Sequence, residues 1–278
     1  MTARLATHPD VADRTTQVLD RLVAAGVDVE FVGHDPRSAG TLAALEGGVI
    51  DLALVGIGAL RESRSEHLTT VAVLPRDEVR DVLVTLSGRA ARLSDLPAGS
   101  RVGLAGPRRA AFLAAHRPDV EAVELDRGSF EEPRLLGVDA VVMSALDARY
   151  AGLVDQTVEV LDPRAWLPEP GQGALALVAR HPIAEATALD HLPTRTALRA
   201  ELALLDALGV DHSATLGCFA QPSGRWIRLW AAAASTDGRR LVRSDRTGPL
   251  DEPEGLGSAV ARELAARGVG RVLTATIR

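Results

Sequence analysis

The chain has 278 residues, of which 46% are hydrophobic and 24% charged, with a formal net charge of −6 and a pI near 5.7. That is the composition of a soluble globular protein of two or three domains, and its acidic balance argues against nucleic acid as a partner. All 31 basic residues are arginine, a bias that GC-rich codon usage explains and that excludes a lysine Schiff base or a lysine general base. Aromatic residues make up only 3%, so the core is built from Ala, Val and Leu. One cysteine, Cys218, excludes an intramolecular disulfide and fits a reducing compartment. The start of the chain, Met1 to Asp10, is polar, and no apolar run reaches the ~18 residues of a membrane span. The expectation is a cytoplasmic protein with no signal peptide, no membrane partner and no metal site.

In chain order, Arg4 to Thr7 reads as a strand, and Asp13 to Ala25 as a helix with apolar residues at helical spacing, closed by Gly26. Val27 to Val32 alternates as a strand does, Thr41 to Leu45 is a short helix, and Val49 to Val55 is a buried strand. A β-α-β-α-β order predicts a largely parallel sheet covered by helices. A second such unit follows. Its strands are Val82 to Thr85, Arg101 to Leu104, Glu121 to Leu125, Asp139 to Met143 and Val158 to Leu161, with a helix over Arg108 to Arg117. The Pro- and Gly-rich stretch Leu167 to Gly173 marks a crossing between domains. Beyond it the pattern changes. Thr194 to Leu208 is an amphipathic helix with Thr194 as its N-cap, Ile227 to Ala234 and Arg239 to Ser244 form a hairpin around Thr236-Asp237-Gly238, and Leu256 to Arg267 is a helix ended by Gly268. Trp226 and Trp230 share one face of their strand, a spacing suited to packing a core.

Five local patterns in this order resemble the hydroxymethylbilane synthase (porphobilinogen deaminase) family. Leu74 to Val84 is similar to that family's "PRxDPRDALV", Leu96 to Gly103 to its "LPAGxxVGT" and Leu113 to Asp119 to the helix ending in "RRPD". Leu167 to Ala174, LPEPGQGA, is similar to "LPAxGQGA", and Ala200 to Leu208 to "AERxxLxxL". The resemblance implies an α/β fold of three domains: two periplasmic-binding-protein-like α/β domains around a cleft and a small C-terminal α+β domain. The implied boundaries are 1–74 with 175–193 for the first, 75–174 for the second and 194–278 for the third. Val55 to Ala59 and Leu104 to Arg109, at the carboxyl ends of strands, should face the cleft.

The family joins porphobilinogen units on a dipyrromethane cofactor held by a cysteine thioether, with an aspartate handling protons and arginines binding the carboxylates. Set against that chemistry, the ungapped register from Ala200 to Leu229 puts the attachment cysteine on His212. Aligning Cys218 there instead requires a gap. In Asp51-Leu52-Ala53-Leu54-Val55 and its continuation, the family's lysine falls on Gly58 and its aspartate on Ala59, with no carboxylate until Glu62. The "TSSLRR" pattern keeps only Arg108 and Arg109, the arginine of "ATRxS" is replaced by His8, and a further arginine falls on Tyr150 beside Arg149.

The resemblance therefore implies a family scaffold with the dipyrromethane cofactor absent. Arg108, Arg109, Arg127, Arg134, Arg149 and Tyr150 are the candidate ligand-binding residues, with Arg108, Arg109 and Arg127 open to the alternative of solvated surface groups or ion pairs with the plentiful Asp and Glu, and they suit a small anionic, carboxylated partner. His212, His8 and Asp10 are the candidate catalytic groups, with Asp211 beside His212. The leading reading is a diverged member that binds a small carboxylated, pyrrole-type ligand in the cleft and performs altered chemistry in specialised metabolism. The alternatives are a non-catalytic binding protein and a working hydroxymethylbilane synthase, a transferase.

Overall fold

A computed structural model of the chain describes residues 2–7, 12–34, 38–63, 65–85, 92–125, 137–211 and 213–273. The chain forms two compact units, Met1–Asp77 with Gly171–Thr196, and Glu78–Pro170 with Ala197–Arg278.

The first unit is built on a five-stranded sheet. Strand β1 (Ala3–Thr7) lies between β2 (Val29–His34) and β3 (Leu52–Gly56), parallel to both. Past β3 the order continues through β10 (Leu175–Ala179) to β4 (Thr69–Val73), with β10 antiparallel to each neighbour. Helices α1 (Ala12–Ala24), α2 (Ser38–Glu46) and α3 (Ile57–Ser63) link the strands. Leu5, Leu22, Leu52, Leu54 and Leu177 are buried between sheet and helices. Fully burying one such side chain is worth about 1.5–3 kcal/mol, enough for a core almost without aromatics. Strand β3 starts later than the run of apolar residues suggested. Asp51 precedes it, and its carboxylate accepts from the Arg4 backbone N–H at 2.9 Å and from Arg4 Nε at 3.0 Å, ending the ladder. Helix α3 and strand β4 carry no strong periodicity and were not expected.

Strand β10 sits in this sheet because the chain turns back at Gly171 and Gly173. Both have φ near +80° (79° and 76°), which only glycine adopts without strain. Arg76 and Asp77 secure the turn: Arg76 Nε donates to the Gln172 carbonyl at 2.9 Å, and the Asp77 N–H to the Gly173 carbonyl at 2.8 Å. Asp77 in turn pairs with Arg14 of α1 at 2.5 Å.

The second unit contains two sheets. One repeats the topology of the first unit. Strand β6 (Arg101–Leu104) lies parallel between β7 (Glu121–Glu124) and β8 (Ala140–Ser144), then antiparallel β5 (Asp81–Thr85), then β9 (Thr157–Val160). Helices α4 (Pro107–His116) and α5 (Ala145–Tyr150) follow β6 and β8 directly. The other sheet is antiparallel: β11 (Leu216–Ser223), β12 (Trp226–Ala234) and β13 (Leu241–Pro249). Helices α6 (Leu192–Leu208) and α7 (Pro253–Ala266) bury its inner face, where Ile227, Leu229, Ala231 and Ala233 of β12 are at most 1% exposed. The Trp residues take the opposite face. Trp226 is 48% exposed, so it packs no core, whereas Trp230 stacks on Phe219 with ring centroids 6.0 Å apart. Thr194 is not the N-cap of α6, which begins two residues earlier at Leu192. Its hydroxyl instead lies 2.7 Å from His191 Nδ1 and accepts the Arg76 N–H at 3.0 Å.

Helices α6 and α7 cross closely at Gly257, where an added Cβ would stand 2.4 Å from the Ala200 carbonyl oxygen and 2.9 Å from the Ala203 Cβ. Gly257→Ala is therefore expected to cost about 1–3 kcal/mol despite raising helix propensity. Urea denaturation would measure this, and stability within about 0.5 kcal/mol of the parent would contradict the close packing.

Candidate functional site

The strongest concentration of charge inside the molecule lies at the carboxyl end of β6, where α4 begins. Gly106 precedes Pro107 and offers no side chain to cap the helix. Arg108 and Arg109 occupy the first turn and are only 4% and 3% exposed. Cations in this position oppose the positive N-terminal end of a helix dipole, and burying two guanidiniums is costly without an anion. Asp81, the first residue of β5 and wholly buried, supplies it. Its carboxylate takes a forked pair of bonds from Arg109, Nε to Oδ2 at 3.1 Å and Nη2 to Oδ1 at 3.0 Å. Arg108 Nη2 donates to Oδ2 at 2.7 Å, and Trp166 Nε1 donates to the same oxygen at 2.9 Å. Further donors reach carbonyls: Arg108 Nη1 to Leu167 at 2.6 Å and Arg109 Nη1 to Ala105 at 3.2 Å.

Burial by itself would raise the Asp81 carboxyl, but the two guanidiniums overcome it and hold the group well below the usual carboxylate range. Burial likewise works against the charge on Arg109, and Asp81 more than offsets it, so Arg109 is raised. On Arg108 burial wins, with repulsion from Arg109 adding to it, and the group is lowered. Against Asp81 alone the two guanidiniums leave one positive charge over, which the fields of Asp147 and Glu169 oppose, at the mouth of a helix whose first amides point the same way. These arginines are therefore not solvated surface groups.

Arg149 and Tyr150 end α5, whose first turn is capped by the Ser144 hydroxyl accepting the Asp147 N–H at 2.9 Å. Arg149 is exposed, with its guanidinium 5.5 Å from the Tyr150 ring centroid. Gly58 and Ala59 lie in the first turn of α3, in the other unit, and Glu62 of the same helix is exposed. Asp211 uses Oδ1 to accept both the backbone N–H of Ser213 (2.9 Å) and its hydroxyl (2.5 Å). His8, Asp10, Arg127, Arg134 and His212 lie outside the described residues. Among the described residues no group of His, Cys, Asp and Glu could hold a metal ion, and no helix is long and apolar enough to cross a membrane.

Sequence reasoning missed Asp81 and Trp166. Asp81 lies within the stretch Leu74 to Val84, and its signal was an acid opening a wholly buried strand that continues Val-Leu-Val-Thr.

The sequence model described as "Porphobilinogen deaminase, dipyromethane cofactor binding domain" matches residues 41–188. The porphobilinogen deaminase of Thermobifida fusca (strain YX) is 38% identical over 236 residues, covering 80% of this chain and 72% of the relative. Porphobilinogen deaminase 1 of Streptomyces coelicolor is 33% identical over 94% of this chain and 90% of its own. Among solved structures, lipoprotein Tp32 of Treponema pallidum aligns with a TM-score of 0.50 at 16% identity, over 74% of this chain and 95% of that one, a likeness of fold alone. The fold is thus α/β, with two five-stranded mixed sheets and a small third, antiparallel sheet.

One expectation is corrected by these matches. The His212 register implied that dipyrromethane is absent, whereas the matched domain is the one that binds this cofactor, which places it in the family. Cys218 does not fit the thioether attachment. It is 0% exposed within β11, opposite Ala231, its N–H donates to the Pro168 carbonyl at 3.0 Å, and it packs in the core between sheet and helices.

Asp81→Asn would leave two buried guanidiniums without their counter-charge and is expected to cost about 3–5 kcal/mol by denaturant titration. Because the folded carboxyl titrates below its unfolded value of ~3.9, the stability it contributes is complete above that value and is lost as pH falls further. Melting curves of the parent should fall below about pH 4, and those of Asp81→Asn should show less of that loss. Cys218 should resist iodoacetamide in the native protein and react once it is unfolded. Rapid native labelling would contradict its burial.

Proposed function

Because the chain belongs to the porphobilinogen deaminase family, we propose that it binds a small carboxylated, pyrrole-type ligand through the arginines of its second α/β sheet and acts on it by altered chemistry. The observation that carries this reading is the excess positive charge of Arg108 and Arg109 over Asp81 at the uncapped start of α4. Such a site attracts a carboxylate through the field of the two guanidiniums, to which the helix amides add. Arg149, exposed at the end of α5, is a further donor on the same sheet, and Arg127 and Arg134 complete the proposed set. The altered chemistry is supported by the alignment that puts Gly58 and Ala59 where the family carries a lysine and an aspartate. His212, His8 and Asp10 are the groups proposed to move protons in their place.

A second reading, turnover of porphobilinogen as the relatives' name states, is supported by their similarity across nearly the whole chain.

Calorimetry with porphobilinogen on the full chain tests the first reading, with assay of porphobilinogen consumption beside it. Binding is expected, and Arg108→Lys, which keeps the charge and loses the fork, should weaken it about tenfold. Affinity unchanged in that variant, or no binding by the parent, would sink the arginine site. Consumption of porphobilinogen would favour the second reading.

A further inference from the structure

Trp166 reaches Asp81 from outside any helix or strand. It ends a short turn that begins at Leu161, and Asp81 holds both ends of it. The Asp81 carbonyl accepts the Leu161 N–H at 2.9 Å, and Asp81 Oδ2 accepts Trp166 Nε1 at 2.9 Å. Inside the turn the Asp162 carbonyl accepts the N–H groups of Ala165 at 3.0 Å and Trp166 at 2.8 Å. Burial does not anchor the turn itself. Asp162, Arg164 and Ala165 are exposed and Pro163 is half-buried, whereas the Trp166 that follows is only 3% exposed.

Arg243 of β13 supplies the anchor. Its Nη1 donates to the Arg164 carbonyl at 3.1 Å and its Nη2 to the Ala165 carbonyl at 2.8 Å. The side chain is half-buried, which lowers its pKa, and no carboxylate among the described residues offsets that. Arg243 is itself held: it lies opposite Ala232 in the ladder between β12 and β13, and Arg267 at the end of α7 donates to its carbonyl. Its Nη2 also lies 3.5 Å from His116 Nε2. The other ring nitrogen, Nδ1, faces the Phe112 carbonyl at 2.8 Å and so carries the hydrogen, which leaves Nε2 to accept. Phe112 and His116, one turn apart on α4, both meet the Trp166 ring, with centroids 5.9 and 5.6 Å away. The helix thus meets the indole ring, and the antiparallel sheet grips the backbone that leads to it.

We propose that Arg243 is a positioning residue for the arginine pair. By gripping the carbonyls of Arg164 and Ala165 it holds Trp166 where the indole N–H meets Asp81 Oδ2. That bond fixes the plane of the carboxylate that takes the fork from Arg109 and the bond from Arg108. The antiparallel sheet therefore sets the geometry of a site on the other sheet of the same unit. That the site takes a carboxylated ligand rests on the reading above, but the positioning does not.

The test follows hydrogen exchange of the Trp166 indole N–H and of the Arg109 Nε–H by NMR in the full chain. Arg243→Met keeps an unbranched apolar stem and loses both donors, and Arg240→Met, which removes an exposed arginine from the same hairpin, is the control. Arg243→Met should speed both exchanges about tenfold, and Arg240→Met should leave them within about twofold of the parent. In a Trp166→Phe background the Arg109 Nε–H should already exchange faster, and adding Arg243→Met should change it no further. A merely structural loss of stability would instead speed it equally in both backgrounds, and that result would overturn the route through Trp166. Indole exchange unchanged by Arg243→Met would overturn the grip. If Arg243→Met does not fold, Arg243→Lys, which keeps the charge without the planar fork, is read in the same way, with about threefold expected. Porphobilinogen should bind Arg243→Met about fivefold more weakly than the parent, and equal affinity for the two would overturn the positioning of the site. If it binds neither protein while the exchange pattern holds, the proposed ligand is wrong and the role of Arg243 stands.

Discussion

Burying charge is the constraint around which the second unit is organised. Two arginines open α4 at the end of a helix that repels them, and they are taken almost entirely out of water. That arrangement is tolerable because Asp81 opens β5 at the same place, and because Trp166 and two backbone carbonyls supply further hydrogen bonds. One carboxylate thus joins β5, the start of α4 and the segment leading to Leu167. These elements lie 27 and 85 residues apart along the chain, so the cluster exists only once the sheet has formed.

The same topology appears in both five-stranded sheets: a parallel trio with the first strand at its centre, then one antiparallel strand, then an edge strand. In the first unit the antiparallel strand is β10, which returns from far along the chain, and in the second it is β5, the strand by which the chain arrives. Equivalent places are therefore filled by different routes. In the first unit the turn at Gly171 and Gly173, secured by Arg76 and Asp77, brings β10 back into place.

Membership of the porphobilinogen deaminase family and the particular charges of this chain act at different levels. The family match accounts for the scaffold. The setting of Arg108 and Arg109 is fixed by the wholly buried carboxylate of Asp81. The single thiol lies in a different environment altogether, among the apolar side chains of β11, β12 and the helices that cover them.

Read from the sequence alone, most strands and the long helices are legible, because hydrophobic periodicity is a local property. Helix α1 with its closing Gly26, strand β5, helix α4 and the hairpin at Gly238 follow from spacing and turn chemistry. The family resemblance, too, lives in short contiguous patterns. Short elements such as α3 and β4 escaped, since a few residues carry too little pattern to separate helix from strand. Thr194 resembled a cap, but its hydroxyl lies instead between His191 and the backbone of Arg76, distant in sequence. The arginine pair was visible as a candidate site, while its burial and its partners were not. Asp81 stands 27 residues from Arg108 in the numbering, and no local pattern assigns it to that arginine. Sequence by itself determined which residue types and which elements were available. Only the tertiary structure decided which charges meet, because the energy of a buried ion depends on what surrounds it in space and not on its neighbours along the chain.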